Sequence, residues 1–112
     1  MTVYHKNIRQ KFQDMNFFEQ MANVGSEIYR AIGWREKGNP EYAIISFERA
    51  LELLDFTSEA VKEYHRLKEL RRLREVIVDY FAGDNSYKSS PELWNNYFFA
   101  FNYAAALLRQ KR

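Results

Sequence analysis

Apolar side chains recur at steps of three and four residues along most of this chain, the spacing that aligns side chains on one face of an α-helix. The pattern is clearest over residues 17–32 and 94–108, and no stretch shows the alternation of a half-buried strand. With 46% hydrophobic residues in 112 positions, the chain can bury the core of one domain. The sequence therefore predicts an all-α fold, an up-down bundle of about four helices forming one domain over residues 1–112.

Turn-forming and capping residues indicate where the helices begin and end. Gly38, Asn39 and Pro40 suit a left-handed residue after a helix, a helix cap and a first helical position, in that order. Gly83 ends the third helix, and the serines at 89 and 90 can cap the last one. Residues 1–12 are either a flexible arm or an early start of the first helix. The predicted helices cover residues 14–36, 40–56, 59–82 and 90–110.

The composition and the apolar runs exclude several classes of protein. The chain has no cysteine, which removes disulfides, thiolate metal sites and a cysteine nucleophile. Residues 1–12 lack the apolar core of a signal peptide, and the longest apolar run, residues 97–108, is shorter than the about 18 to 20 residues of a membrane span. We therefore expect a cytoplasmic protein with no membrane segment.

No pattern of catalytic or cofactor-binding residues is present. The chain has no glycine-rich phosphate loop, nucleophile elbow or Ser/His/Asp spacing. Di-metal sites in helical bundles use a Glu three residues before a His, and neither His5 nor His65 has one. The sequence predicts no cofactor, no metal and no enzymatic activity. An active site built from Arg74 and nearby carboxylates is the third-ranked alternative.

Arg74 is the most unusual polar residue in the predicted helices. Projection at about 100° per residue places it between Leu70 and Ile77 on the apolar face of the third helix, where a guanidinium would need a carboxylate partner. Such a pair would form a polar pocket in the centre of the bundle, or it would only fix the helix register. Alternatively, Arg74 extends to the edge of the bundle with only the stem of its side chain buried. If the pair is buried, removing one partner would cost about 3 to 5 kcal/mol. The candidate partners are Glu48, Glu52 and Asp55, which form a stripe on the acidic second helix, and Glu27 on the first helix.

Two surfaces are predicted to meet a partner. Trp34 lies on the face of the first helix that also carries Glu27 and Arg30, so that it is either a second core contact or an exposed anchor for a protein partner. The last helix is apolar nearly all round, which requires cover on both faces. The rest of the bundle covers one face of this helix, and another copy of the chain is the most economical way to cover the other. The sequence therefore predicts a homodimer. The predicted dimer contacts are Phe99, Tyr103, Ala106 and Leu107.

The third predicted helix is basic, whereas the second is acidic. The lysine and arginine side chains of the third helix could contact the phosphates of a nucleic acid. Glu63, Glu69 and Glu75 are interleaved among them and favour ordinary pairing on the helix surface. The candidate phosphate contacts are Arg66, Lys68, Arg71 and Arg72.

Residues 27–55 resemble a single helical hairpin of the tetratricopeptide repeat family. The matching positions are Gly38 at the turn, Ala43, Phe47 and Ala50 on the second helix, and the Ala-Leu-Glu-Leu sequence of residues 50–53. The resemblance implies closely packed helices and, in arrays, grooves that bind peptides. No second copy follows at the family's period of about 34 residues.

The layout of a long hairpin followed by further helices resembles, more loosely, the small helical bundles of the HEPN family. Members of that family that cleave RNA carry an Arg a short distance before a His. Neither His5 nor His65 has an Arg at the corresponding position, so the nuclease motif is absent. This resemblance implies a non-cleaving, RNA-associated accessory protein.

The sequence thus favours a non-enzymatic helical interaction module that self-associates through its last helix. The alternative is an RNA-associated protein of HEPN-like build that binds through its basic third helix. The two hypotheses differ in which helix meets the partner.

Overall fold

The computed structural model describes the backbone of residues 6–111 and the side chains of residues 8–111. The described residues form an all-α bundle with five helices and no strand, which confirms the predicted class. The expected count of about four helices is wrong, because part of the segment left as an arm or early start forms a helix of its own. Residues 1–5 lie outside the described part of the chain. The helices are α1 (Lys6–Gln13), α2 (Phe17–Glu36), α3 (Pro40–Ala60), α4 (Tyr64–Ala82) and α5 (Pro91–Gln110).

A short turn separates α1 from α2, so the first predicted helix does not begin at residue 14. The side chain of Asn16 accepts a hydrogen bond of 2.9 Å from the backbone N–H of Glu19 and caps α2. The amide of Gln20, which is buried, donates to the carbonyl oxygen of Met15 at 2.8 Å. Gln13 donates to the carbonyl oxygen of Phe56, so that α1 is attached to α3.

The turn between α2 and α3 follows the prediction. Gly38 has a φ of +77°, the left-handed conformation that favours glycine. Asn39 accepts a hydrogen bond of 3.1 Å from the backbone N–H of Tyr42, and Pro40 is the first residue of α3. Because this turn is so short, α2 and α3 run antiparallel and pack along their lengths.

The boundary between α3 and α4 lies later than predicted. The hydroxyl groups of Thr57 and Ser58 donate back to the carbonyl oxygens of Leu53 and Leu54, at 3.1 and 2.9 Å, instead of capping the next helix. Helix α3 therefore continues to Ala60 rather than ending at residue 56, and α4 begins at Tyr64 rather than at 59.

Glu63 provides the cap of α4. Its carboxylate accepts hydrogen bonds from the backbone N–H groups of His65 and Arg66, at 2.9 and 2.7 Å. These two bonds hold the pKa of Glu63 below its usual value, so the carboxylate stays ionised, and able to accept both bonds, at a lower pH than an ordinary glutamate does.

Ser90 caps α5 by accepting from the backbone N–H of Leu93 at 3.2 Å, and Pro91 follows it as the first helical residue. The preceding loop is held by Asp79, whose carboxylate accepts from the backbone N–H groups of Ser86 and Tyr87. The loop therefore has a defined shape next to the start of α5.

Helix α2 is the central helix of the bundle, because it packs against both α3 and α5. Its most deeply buried side chains are Met21, Val24, Ile28 and Ala31. Helix α3 also contacts α1 and α4, whereas the backbones of α4 and α5 do not pack closely along their lengths. None of the described helices carries an apolar stretch of the length that crossing a membrane requires.

Candidate functional site

Helix α5 has one aromatic face inside the bundle and another outside it. Trp94 and Phe98 are buried, and Phe98 packs against α2 at Gly25. On another face, Phe99 and Tyr103 are 66% and 59% exposed, and their rings stack with centroids 6.4 Å apart. Helix α5 therefore presents an apolar stripe at four-residue spacing, the α5 stripe, formed by Phe99, Tyr103, Ala106 and Leu107.

The four members of the α5 stripe differ in how much they expose. Leu107 continues the stripe toward the end of the helix with 41% of its surface exposed, whereas Ala106 is half-buried. The three larger side chains lie in solvent in this single chain. Such a row of large apolar groups is the kind of surface that a partner covers.

The charges at the two ends of α5 are opposite. Glu92 lies in the first turn and Arg109 in the last turn, followed by Lys111. Each charge complements the helix dipole at its own end, negative at the N-terminus and positive at the C-terminus. The α5 stripe therefore lies between an acidic and a basic end.

A groove runs between α2 and α5 beside the α5 stripe. Its walls include Ser26, Tyr29 and Arg30 from α2, and Asn95 and Asn102 from α5. Tyr29 is exposed over most of its surface. The groove extends the accessible surface of α5 onto α2 and adds hydrogen-bonding groups next to the apolar side chains.

Arg74 lies at the surface, so the prediction of a buried ion pair is wrong. Its partner is Asp55, whose two carboxylate oxygens accept from Nε at 2.8 Å and from Nη2 at 3.2 Å. The side chains are 44% and 47% exposed. Glu48 and Glu52 are half-buried on α3 and Glu27 lies on α2, and none of them forms an ion pair with Arg74. The pair joins α3 to α4 from outside the core.

Because the Arg74 pair is exposed, we expect its removal to change stability little. Arg74→Ala should lower the free energy of unfolding by no more than about 1 kcal/mol, since water and salt screen such a pair. Urea denaturation followed by circular dichroism measures this value, and Arg71→Ala on the same helix serves as the matched control. A loss near the 3 to 5 kcal/mol typical of a buried pair would contradict the observed exposure.

The side chains of Glu27 and Trp34 mostly contact other residues of the same chain. The Glu27 carboxylate is buried and accepts from Nη1 of Arg30 at 2.7 Å, while the Arg30 side chain remains mostly exposed. The ring of Trp34 is half-buried and meets Tyr42 edge to face, with Nζ of Lys37 5.2 Å from its centroid. Of the predicted partner surface, Arg30 is therefore the most accessible side chain.

The basic face of α4 is partly engaged by aromatic rings. The guanidinium of Arg66 lies 4.0 Å from the ring centroid of Phe17, and that of Arg72 lies 5.9 Å from Tyr87. Lys68 and Arg71 are exposed. Arg66 and Arg72 are exposed as well, so all four predicted phosphate contacts are accessible to solvent.

Within residues 8–111, no group of three or more His, Asp or Glu side chains is arranged to hold a metal ion. Comparison with protein-family models, with curated proteins and with solved structures finds no match to this chain. The resemblances to tetratricopeptide hairpins and to HEPN bundles remain predictions.

Proposed function

We propose that this protein is a non-enzymatic helical interaction module that assembles as a homodimer through α5. The observation that carries the proposal is the α5 stripe, in which two stacked aromatic rings and a leucine are exposed in a row. Covering such a stripe removes apolar surface from water, at about 25 cal/mol per Å². A cytoplasmic location forms part of the proposal, since a chain without cysteine needs no oxidising compartment.

The arrangement of α5 suits an antiparallel pairing about a two-fold axis. An axis that crosses the helix between Phe99 and Tyr103 pairs each of these rings with the other ring of the partner subunit. The same axis brings the Glu92 end of one helix toward the Arg109 end of the other, so unlike charges meet. A parallel pairing would bring like charges together. The occupant that the charge pattern favours is therefore a second copy of this chain.

The groove between α2 and α5 adds to the area available for pairing. Stable interfaces bury about 1,200 to 2,000 Å² in total. Tyr29, together with Asn95 and Asn102, lies beside the α5 stripe and supplies further area with polar groups at its edge. An apolar centre surrounded by polar residues is the usual anatomy of an interface.

Light scattering after size exclusion tests the dimer. We expect the mass to approach twice the 13.5 kDa of the chain as protein concentration rises from about 10 μM toward about 1 mM, because dimerisation follows mass action. The double variant Phe99→Ser with Tyr103→Ser removes the central apolar contacts. It should remain at the mass of one chain over the same range, while circular dichroism shows unchanged helix content.

Tyr64→Ser provides the matched control for this experiment. Tyr64 is as exposed as Phe99 but lies at the start of α4, away from the α5 stripe. Its loss should leave the mass profile of the unmodified chain unchanged. A single-chain mass at every concentration, or a dimer that persists in the double variant, would contradict the proposal.

The surface around Arg30 and Trp34 is proposed as a second contact, toward a different protein. In this arrangement Glu27 does not touch the partner, because its buried carboxylate instead holds Arg30 in place. Arginine and tryptophan are enriched among the residues that dominate binding energy. The expected partner offers a carboxylate to the exposed guanidinium.

RNA binding through α4 is the alternative function, and the exposed Lys68 and Arg71 are the observation that supports it. Anisotropy of a labelled RNA oligonucleotide separates it from the leading proposal. Affinity that falls steeply with salt, with a slope equivalent to several released counterions, would favour the RNA function. Absence of binding at low salt removes it.

A further inference from the structure

The first half of α4 exposes an aromatic ring and three cations on one side of the helix. Tyr64, Lys68 and Arg71 follow one another at steps of four and three residues, so their side chains share a face, and Arg72 lies next to Arg71. All four residues are exposed, and Tyr64 keeps 68% of its surface in solvent. We call these four residues the α4 face. At a rise of about 1.5 Å per residue, the α4 face is about 12 Å long.

The cations of the α4 face are not paired within the chain. Lys68, Arg71 and Arg72 form no ion pair with a carboxylate of residues 8–111. Glu69 is the only acidic residue between positions 64 and 72, and its carboxylate accepts a hydrogen bond of 3.3 Å from the hydroxyl of Tyr97 on α5. Three cations against one carboxylate leave this part of the helix positive.

The remaining acidic residues around α4 form other contacts. The Glu63 carboxylate accepts from backbone N–H groups at the start of the helix, Asp79 holds the loop that follows it, and Asp55 pairs with Arg74. Glu75 lies one turn beyond Arg71 and forms no ion pair in the described part of the chain. The surface pairing that the interleaved glutamates favour is therefore not formed on the α4 face.

A second exposed ring lies at the far end of the α4 face. The guanidinium of Arg72 lies 5.9 Å from the ring centroid of Tyr87, whose side chain is 47% exposed. The backbone N–H of Tyr87 donates to the carboxylate of Asp79 at 3.0 Å, which holds this part of the loop against α4. Tyr64 and Tyr87 therefore flank the three cations.

We propose that the α4 face, together with Tyr87, binds single-stranded nucleic acid, an inference that rests on the alternative function of RNA binding through α4 and adds the form of nucleic acid recognised. Sites of this class combine cations that contact the phosphates with exposed aromatic rings on which unpaired bases stack. The α4 face supplies the cations, and the two tyrosines supply the rings. A duplex keeps its bases stacked on one another and offers no free base to these rings. The α5 stripe takes no part in this contact.

Anisotropy of a labelled RNA of about 12 nucleotides without self-complementarity tests the stacking contact, with the same strand annealed to its complement as the second probe. Tyr64→Ser should weaken binding of the single strand about tenfold, because the stacking of one base is lost, and should leave binding of the duplex unchanged. Tyr64→Phe retains the ring and should bind the single strand within about twofold of the unmodified chain.

The salt dependence of the same binding tests the cations. Three phosphate contacts predict that the logarithm of the association constant falls with the logarithm of salt concentration at a slope of about −2, since each contact on a single strand contributes about −0.7. Lys68→Gln with Arg71→Gln removes two contacts and should make this slope shallower by about 1.4. Lys37→Gln, an exposed cation at the end of α2, is the matched control and should leave the slope unchanged.

The outcomes separate this inference from the functions on which it builds. The double variant Phe99→Ser with Tyr103→Ser should bind the single strand as the unmodified chain does. Equal weakening of single strand and duplex in Tyr64→Ser, no weakening of either, or an unaltered salt slope in Lys68→Gln with Arg71→Gln would overturn the inference, while RNA binding itself would stand. Absence of binding to both probes at low salt would remove the RNA function as well.

Discussion

Gly25→Val should lower the free energy of unfolding by about 3 kcal/mol, the upper part of the range for inserting carbon atoms into a packed core. A Cβ atom at position 25 would lie 2.7 Å from Cγ of Phe98 and 2.8 Å from its Cβ and Cδ1. Phe98 cannot move aside, because its ring is packed against those of Trp94, Tyr97 and Phe101. The substitution therefore forces α5 away from α2.

Gly33→Val is the matched control for this prediction. Gly33 lies on the same helix two turns later, and a Cβ there would meet no atom within 4 Å. Valine favours the helix more than glycine does, so this variant should be neutral or slightly stabilised. Urea denaturation followed by circular dichroism gives both values. Similar losses at the two positions would show that the contact with Phe98 does not determine the effect.

A double variant tests the contact directly. Phe98→Ala alone removes a large buried side chain and should itself be costly, by about 3 to 5 kcal/mol. In Gly25→Val with Phe98→Ala, the new valine fills part of the space that the ring vacates. The combined loss should then be smaller than the sum of the two single losses, which is the signature of two residues in contact.

The turn between α2 and α3 could be predicted because its signals are local. Gly38, Asn39 and Pro40 each favour a particular backbone conformation within a few residues, and no distant contact opposes them. The break between α1 and α2 also has a local capping signal, but the continuous spacing of apolar residues across it favours one unbroken helix. Asn16 followed three residues later by Glu19 resembles a helix start, yet the apolar side chains on either side continue the same spacing.

The predicted end of α3 is wrong because a hydroxyl group near the end of a helix can form either of two hydrogen bonds. A Thr-Ser pair after an apolar run favours a cap, but inside a helix the same groups donate to carbonyl oxygens one turn earlier. Thr57 does this at a fully buried position. Whether the helix stops or continues is then decided by the packing of Leu53, Leu54 and Phe56, which local sequence does not reveal.

The position of Arg74 depends on a small rotation of α4. The apolar residues allow one face that includes Leu70, Arg74 and Ile77, or a neighbouring face on which Leu73 replaces Arg74. The structure buries Leu70, Leu73 and Ile77 and leaves Arg74 in solvent. Desolvating a guanidinium is expensive, so the rotation that avoids it has the lower free energy. The sequence offers Glu48, Glu52 and Asp55 as partners on α3, and the rotation of α4 decides that Arg74 pairs with Asp55.

The two aromatic faces of α5 could be recognised from the sequence, and the face predicted to meet a partner, with Phe99 and Tyr103, is exposed in the structure. The contact that buries the other face required the fold. Phe98 is inside because Gly25 leaves room for its ring on α2. A single glycine inside a long helix indicates a close approach of some group, but the sequence does not name the group. The α5 stripe is therefore a consequence of a contact on the other side of the same helix.

Trp94→Ala should lower the free energy of unfolding by about 3 to 5 kcal/mol, the usual cost of removing a buried tryptophan. Trp94 is buried, and its ring lies 6.0 Å from that of Tyr80 on α4 and 6.2 Å from that of Phe98, measured between centroids. Its ring thus joins α5 to α4. Trp34→Ala, at a half-buried position, should cost less and serves as the comparison.

Trp94→Phe, in contrast, should cost no more than about 1.5 kcal/mol, because phenylalanine retains most of the apolar area and Nε1 has no hydrogen bond to lose. Urea denaturation of both variants measures the difference. A loss as large for phenylalanine as for alanine would mean that the indole N–H contributes to folding.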